Sequence, residues 1–371
     1  MPVSGTRLNT TAKDRDRTAS ILPPHIPSLD GLRAVSFLIV FMAHSGLSGG
    51  VVPGGFGVTV FFFLSGFLIT TLMRFEHETT GSISVRNFYL RRVLRILPPF
   101  YVVFLLAVLL VQFRMLPGFL QVPTVAAQML HVSNYWFVWH GYDGSPVGTV
   151  PYWSLAVEEH FYLLFPMLYL VLNRRLSNKD QANTLWALCA VVCLWRCVLV
   201  FGLGASVDRT YMASDTRFDS ILFGCALAVG LNPVLDRQSG HERLWKNVLL
   251  PIGVALLLFT FVYRAPWFRE TLRYTVQGIG LTSVFVAAIR FPKSLPFRLL
   301  NTRPVAFVGV LSYTLYLVHQ VVLYWVGFHL PMLGVLFRGL LALGLSLLVA
   351  LAIHQWIEKP AARVRRRLAR I

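Results

Sequence analysis

The sequence predicts an all-α, polytopic transmembrane helical bundle of about ten spans with both termini in the cytoplasm, and three observations carry that prediction. Of its 371 residues, 56% are hydrophobic and only 13% are charged, well under the roughly 25% charge of an ordinary soluble domain. The apolar residues are grouped in blocks such as "FFFLSGFLITTLM", "FYVVFLLAVLLVQF", "VLLPIGVALLLFTFVY" and "LLALGLSLLVALAI", and a bilayer-crossing helix needs about 20 mostly apolar residues. The basic residues then alternate between breaks. Arg7, Lys13, Arg15 and Arg17, the segments 74–95, 173–182, 232–247 and 290–303, and the end "EKPAARVRRRLARI" are basic, whereas "SGLSGGVVPGG" has no charge. Cytoplasmic flanks are the basic ones, so an even number of spans puts both ends inside. This pattern explains most of the net charge of +18 and leaves no soluble basic face for nucleic acid.

The candidate spans lie near 29–47, 55–73, 96–113, 151–172, 184–203, 216–231, 247–263, 274–290, 305–328 and 337–357, the sixth being short and polar at its start. They form one membrane domain, 28–360, between an N-terminal cytoplasmic tail, 1–27, and a basic C-terminal tail, 361–371. The polar N-terminal stretch does not read as a cleavable signal peptide. The longest non-spanning stretch, near 114–150, is too short for a separate catalytic domain. Ionisable side chains inside a membrane are costly and face a bundle interior or a cavity, so they locate the candidate site.

In the first span, "GLRAVSFLIVFMAH" places Arg33 and His44 eleven residues apart. That is close to three helical turns, so both share a face about 16 Å apart along the axis. An arginine snorkelling to the interface beside a hydrogen-bonded histidine is the plain alternative. In the second span, "GGFGVTVFFFLSGFLIT" carries three glycines and then Ser65 and Gly66; small residues allow close helix packing, or the approach of a substrate to the backbone. Ahead of the third, "RNFYLRRVLRILPPF" sets Arg91, Arg92 and Arg95 at helical spacing before Pro98 and Pro99, where a helix breaks or kinks. The arginines serve topology, or form a clamp for a phosphorylated ligand, since guanidinium binds phosphate bidentately.

The fourth span, "PYWSLAVEEHFYLLFP", holds Ser154, Glu158 and Tyr162 on one face, and Glu159 beside them. In the fifth, Cys189, Cys193 and Cys197 fall on one face as small packing residues, and Arg196 is expected to pair with a carboxylate such as Asp215 or Glu158. The sixth, "SDTRFDSILFG", sets Asp215 and Asp219 on one face with Arg217 between them, either a local ion network or part of a site. In the ninth, "LSYTLYLVHQ" aligns Ser312, Tyr316 and His319. No zinc-protease spacing, nucleophile elbow, phosphate-binding loop or paired-cysteine motif occurs, and no metal site is expected.

These segments, in this order, resemble the acyltransferase-3 family of integral membrane proteins. The likeness runs from "SLDGLRAV" to "WIEKP", through the glycine-rich run, "RRVLRILP", "WSLAVEEHFYLLFP", "DTRFDSILFG" and "YTLYLVHQ". It implies transfer of an acyl group, usually acetyl, from cytoplasmic acyl-CoA to a hydroxyl of a sugar-containing acceptor, such as a cell-surface or exopolysaccharide unit, a lipo-oligosaccharide or a macrolide. It implies a multi-pass protein of a bacterial cytoplasmic membrane, with acetyl-CoA as co-substrate. Two positions depart from the family pattern: Thr59 stands where an aspartate is usual, and His160 where a glutamine is usual. A hydrolase-like domain fused to some relatives is not found, which points away from peptidoglycan. The expected mechanism assigns Arg91, Arg92, Arg95 and Arg33 to the CoA phosphates, and His44 as general base or covalent acyl carrier. Glu158 would orient the imidazole. Tyr316 and Ser154 would hold the thioester or acceptor, with Ser65, Tyr162, Asp215, Arg217 and His319 supporting. The competing class is a transporter or flippase without acyl chemistry, whose sign would be an internal repeat; none is visible.

Overall fold

The structure, a computed structural model, describes residues 26–49, 53–236 and 241–368. The basic residues expected in the first tail, Arg7, Lys13, Arg15 and Arg17, lie outside the described residues, as do 369–371. Among the described residues a helix stands at each expected span: α1 Leu29–His44, α2 Gly54–Thr80, α3 Val85–Gln112, α4 Trp153–Arg175, α5 Asn178–Cys197, α6 Ser214–Gly230, α7 Leu250–Val262, α8 Arg273–Arg290, α9 Arg303–His329 and α10 Val335–Ile353. Among the described residues seven helical stretches are long and apolar enough to cross a membrane. The other three, α1, α6 and α8, have only 16, 17 and 18 residues. Helix α6 is buried along nearly its whole length, whereas α1 and α8 bury one side and expose Val35, Leu38 and Ile279 on the other.

Local sequence sets the ends. Ser84 caps α3 by accepting from the Asn87 N–H at 3.3 Å, and Ser177 does the same for α5 from Asp180, each satisfying one orphan donor of a helix start. Helix α3 begins eleven residues before the expected span, so Arg86, Arg91, Arg92 and Arg95 all stand on it. It runs through Pro98 and Pro99 without ending. Each proline withdraws an N–H from the ladder but keeps a helical φ, and the helix continues on the packing of its apolar face. Beyond α10, a wide turn at His354–Glu358 leads without a break into the basic helix Lys359–Leu368, which packs on α3. The expected C-terminal tail therefore begins as a helix.

Close backbone crossings hold the bundle. Helix α6 packs on α2 and α5, α9 on α1 and α10, and α7 on α8. A Cβ at Gly224 would collide with the Phe63 carbonyl of α2, and one at Gly66 with the Ile221 carbonyl of α6. A Cβ at Gly309 would meet the Asp30 backbone of α1. The glycines of the second span thus act in packing, as small residues do between membrane helices. The start of α1 is fixed in turn. Ser28 takes φ 65°, an uncommon conformation for a residue with a Cβ. Its N–H donates to Asn301 Oδ1 at 2.8 Å and its hydroxyl to the Ala288 carbonyl at 2.7 Å. Outward faces of α3, α4, α7 and α10 expose Leu105, Leu109, Leu163, Met167, Ile252, Leu258, Leu340 and Leu348, a surface suited to lipid.

Gly224→Ala should lower the thermal unfolding midpoint in detergent, by the equivalent of at least about 1–3 kcal/mol, because the α2–α6 backbones must separate. Gly344→Ala, on α10 with no atom within 4 Å of the new Cβ, should be neutral or stabilising by up to about 1 kcal/mol.

Candidate active site

The crossing of α1 with α9 and the neighbouring α2, α3 and α4 leave an inner cavity of about 90 Å³. Arg33, Arg92 and Arg95 line it together with Ser65, Ser154, Glu158, Tyr162, Tyr313 and Tyr316. Its volume is below the roughly 300–1,000 Å³ of a ligand-sized pocket; it suits a slim chain rather than a bulky head group. Arg33 Nη1 donates to Asp30 Oδ1 at 2.7 Å, one turn back on α1. The Arg92 guanidinium stands 4.9 Å over the Tyr162 ring and 5.7 Å over Phe88, a cation–π arrangement that holds it at the wall. Arg91 does not join them, and Glu76 of α2 accepts from its Nη2 at 2.8 Å. Adjacent helical residues point about 100° apart, whereas positions three apart share a face, so Arg92 and Arg95 face the cavity while Arg91 turns to α2. The expected clamp is therefore Arg33, Arg92 and Arg95 in geometry, without Arg91.

Arg95 and Tyr313 also line a neighbouring cavity of about 190 Å³ with His354, Glu358, Lys359 and Arg365. The start of the C-terminal basic helix thus adds two cations to the mouth of the inner cavity. Within the inner cavity Tyr162 bridges Ser65 and Glu158; its hydroxyl donates to Glu158 Oε2 at 3.3 Å. The Ser154 and Tyr316 hydroxyls lie 2.8 Å apart and each is 3.0 Å from the Pro151 carbonyl, so each gives its one proton either to that carbonyl or to the other hydroxyl.

His44 lies at the far end of α1, on a separate and larger cavity of about 560 Å³. Its partner is His319: His44 Nδ1 and His319 Nε2 are 2.8 Å apart. The ring centroids are 5.1 Å apart and the planes 12° from parallel, the geometry of an in-plane hydrogen bond rather than a face-to-face stack. Phe37, Phe41 and Tyr316 surround the fully buried His319. The Tyr316 carbonyl lies 2.8 Å from His319 Nδ1, and a carbonyl only accepts, so Nδ1 carries a proton. In neutral His319 the Nε2 then accepts. His44 must donate from Nδ1, and its own Nε2 keeps a lone pair. That assignment follows from the network; it makes His44 a proton acceptor aimed away from His319. Glu158, expected to orient this imidazole, instead bonds Tyr162 on the inner cavity, because α4 faces the α2–α3 side of the bundle while α9 covers the end of α1.

The sixth-span residues stay out of both cavities. Asp215 accepts from Tyr135 Oη at 2.8 Å, Trp195 Nε1 at 2.7 Å and both Arg209 terminal nitrogens, tying the short helix Val207–Met212 down. Arg196 pairs with Asp219, not with Asp215 or Glu158: Nη2 donates to Asp219 Oδ2 at 2.6 Å with both side chains fully buried. Its other protons go to the Thr216 and Thr271 carbonyls and to Thr275, so this buried pair is fully satisfied. Arg217, also fully buried, donates to Thr59 Oγ1 and to the Tyr211 carbonyl, both at 3.1 Å. Its guanidinium lies 4.0 Å over Tyr274 and faces Phe62, Trp153 and Tyr211. Thr59 thus supplies a hydroxyl where the family pattern has a carboxylate, and four rings supply the remaining stabilisation. His160, the second departure, bonds Ser214 at 2.7 Å. Gln320, Tyr324, Arg338, Lys359 and Arg365 were not singled out from the sequence as cavity residues; at helix ends they read as ordinary flanking side chains. No group of three or more metal-type ligands occurs among the described residues.

A family described as an acyltransferase domain matches residues 26–355. The peptidoglycan O-acetyltransferase OatA of Listeria monocytogenes is 29% identical over 93% of this chain and 57% of its own length. The O-acetyltransferase OatA of Staphylococcus aureus is 29% identical over 91% of the chain, and a putative O-acetyltransferase from the same species is 27% identical over the same share. The chain spans about 57% of the length of these relatives. No solved structure matches.

The Arg196–Asp219 pair gives a stability test. Arg196→Leu leaves a buried carboxylate without its partner and should cost about 3–5 kcal/mol, read as a lowered thermal midpoint. The double variant with Asp219→Leu should be more stable than the single one.

Proposed function

The chain belongs to the acyltransferase-3 family, and from that premise we propose that it is a membrane-embedded O-acyltransferase. It moves an acyl group, acetyl in the first instance, from cytoplasmic acyl-CoA to a hydroxyl of a sugar-containing acceptor. One observation carries the reading: the contacts from Tyr316 to His319 and from His319 to His44 link a narrow, arginine-mouthed cavity to a wider one. The 90 Å³ inner cavity is right for a pantetheine arm, and Arg33, Arg92 and Arg95 with Lys359 and Arg365 are right for the phosphates left outside it, since guanidinium groups bind phosphate in a fixed fork.

In the proposed reaction His44 Nε2 takes the proton of the acceptor hydroxyl as that oxygen attacks the thioester carbon. The new C–O ester bond forms, the C–S bond breaks, and the departing CoA thiolate receives the proton from His44. His319 holds the proton of His44 on Nδ1, so the basic nitrogen is the one facing the open cavity; a third group that orients a catalytic imidazole acts in the same way in hydrolase triads. Ser154 and Tyr316 would turn their hydroxyl protons from the Pro151 carbonyl to the thioester oxygen as negative charge develops on it. Glu158 and Tyr162, with Ser65, line the path of the arm. Asp215 and Arg217 are assigned to structure rather than chemistry. Acetyl is the group named for the relatives, and their bacterial origin supports the cytoplasmic membrane of a bacterium as the location.

In membrane vesicles supplied with acyl-CoA, His44→Ala should reduce acyl transfer by about 10²–10⁴-fold, the range for loss of a general base. His319→Ala should lower kcat with little change in the KM for acyl-CoA, and His319→Gln, which keeps an acceptor for the His44 proton, should recover part of it; equal loss in both would argue against the tautomer role. Arg95→Glu should raise the KM for acyl-CoA at least tenfold. Arg91→Glu, at a residue engaged with Glu76, should change it far less, and equal effects would remove the distinction drawn between the two arginines.

A further inference from the structure

The cavity beside His44 has a chemistry of its own. Its volume, about 560 Å³, falls within the roughly 300–1,000 Å³ of small-molecule sites. Arg338, in the first turn of α10, lines it together with Gln320, Tyr324 and Phe328. The Nε of Arg338 is buried without a hydrogen-bond partner, and so is Oε1 of Gln320. No aspartate or glutamate lines this cavity, so nothing there neutralises the guanidinium. An arginine snorkelling to the interface would carry its whole head into water; here the residue is half-buried and its Nε stays out of solvent without a partner. A buried, unmet donor on a charged group is costly, and the Nε–Nη edge of a guanidinium is the fork that fits a carboxylate or phosphate. The Gln320 amide, next in sequence to His319, offers a hydroxyl partner. The Tyr324 and Phe328 rings offer amphipathic faces of the kind that pack against a sugar.

We propose that this cavity is the acceptor subsite, that it takes a glycan unit bearing an oxyanion, and that Arg338 pairs with that anion while Gln320 and His44 meet its hydroxyls. The inference rests on the transferase reading for its biological meaning, but its physical content is a binding preference. Two sources give the same chemistry: a carboxylate on the sugar itself, or a phosphate linking the sugar to a lipid.

The test is equilibrium binding to the full chain in detergent, with three probes: a neutral N-acetylglucosamine tetramer, a tetramer alternating N-acetylglucosamine with lactyl-carboxylated N-acetylmuramic acid, and an N-acetylglucosamine oligomer ending in a 1-phosphate. Wild type should bind one of the two anionic probes at least tenfold tighter than the neutral one, and the better anion identifies the source. Arg338→Gln should abolish that preference, shifting the neutral probe less than twofold, and Arg338→Lys should restore much of it. Equal affinity of wild type for neutral and anionic probes, or a preference that survives in Arg338→Gln at an unchanged thermal midpoint, would overturn the proposal. Release of CoA thiol from acetyl-CoA by wild-type vesicles is read in parallel. Thiol release without an anion preference defeats the subsite alone; an Arg338-dependent preference without thiol release supports the subsite and defeats the transferase reading.

Discussion

The site depends on the close approach of α1 to α9. Gly309 lets the two backbones touch at Asp30, and Ser28 and Asn301 fix where α1 starts. From that anchored end a rigid helix carries Arg33 to one cavity and, about 16 Å further along, His44 to the other. Helix α9 brings Tyr316 to the inner cavity and His319 to His44. If the helices stood farther apart, no hydrogen bond would join the two imidazoles, and the tautomer of His44 would be unset.

The membrane sorts the remaining polar groups by a single rule: a polar side chain in a low-dielectric bundle must be satisfied or must face a cavity. Arg196 and Asp219 are the satisfied case. Every donor on the guanidinium that the fold reaches has an acceptor, and neither residue sees a cavity. Arg217 is an intermediate case, with two hydrogen bonds and four aromatic rings but an unmet Nε. The Thr59 hydroxyl accepts from Nη2 but carries no charge, whereas a carboxylate there could take two guanidinium protons and would cancel the charge. Arg92, Arg95 and Arg338 are the open case. Their heads line cavities, and that is where a ligand's charge would be most strongly felt.

Much of the fold was legible from hydropathy, because apolar blocks of membrane length have one outcome in lipid. Each expected span corresponds to a helix among the described residues, although only seven stretches meet the length and hydropathy of a crossing helix. Of the three shorter helices α6 is enclosed by protein, and a hydropathy reading cannot distinguish a helix packed among helices from one packed in lipid. Helical arithmetic placed Arg33 and His44 on one face, and likewise Ser154, Glu158 and Tyr162. It failed for partnerships between helices. Arg196 found Asp219 rather than Asp215 or Glu158; Arg91 left the arginine cluster for Glu76; His44 took His319 in place of Glu158.

The sequence by itself determined the class of the fold, its helical segments, the identity of the polar residues set into them, and the family motif that links His44, the arginines and the glutamates. These depend on composition and on the 3.6-residue period, both local properties of the chain. Only the tertiary structure decided which cavity each polar residue faces and which partner holds it, because such pairings lie between helices, 15 to 275 residues apart in sequence, and are fixed by backbone crossings. It also brought Arg338, silent in the sequence, to the same cavity as His44, since α1 and α10 both pack on α9 and Gly339 of α10 lies against Leu47 just past α1.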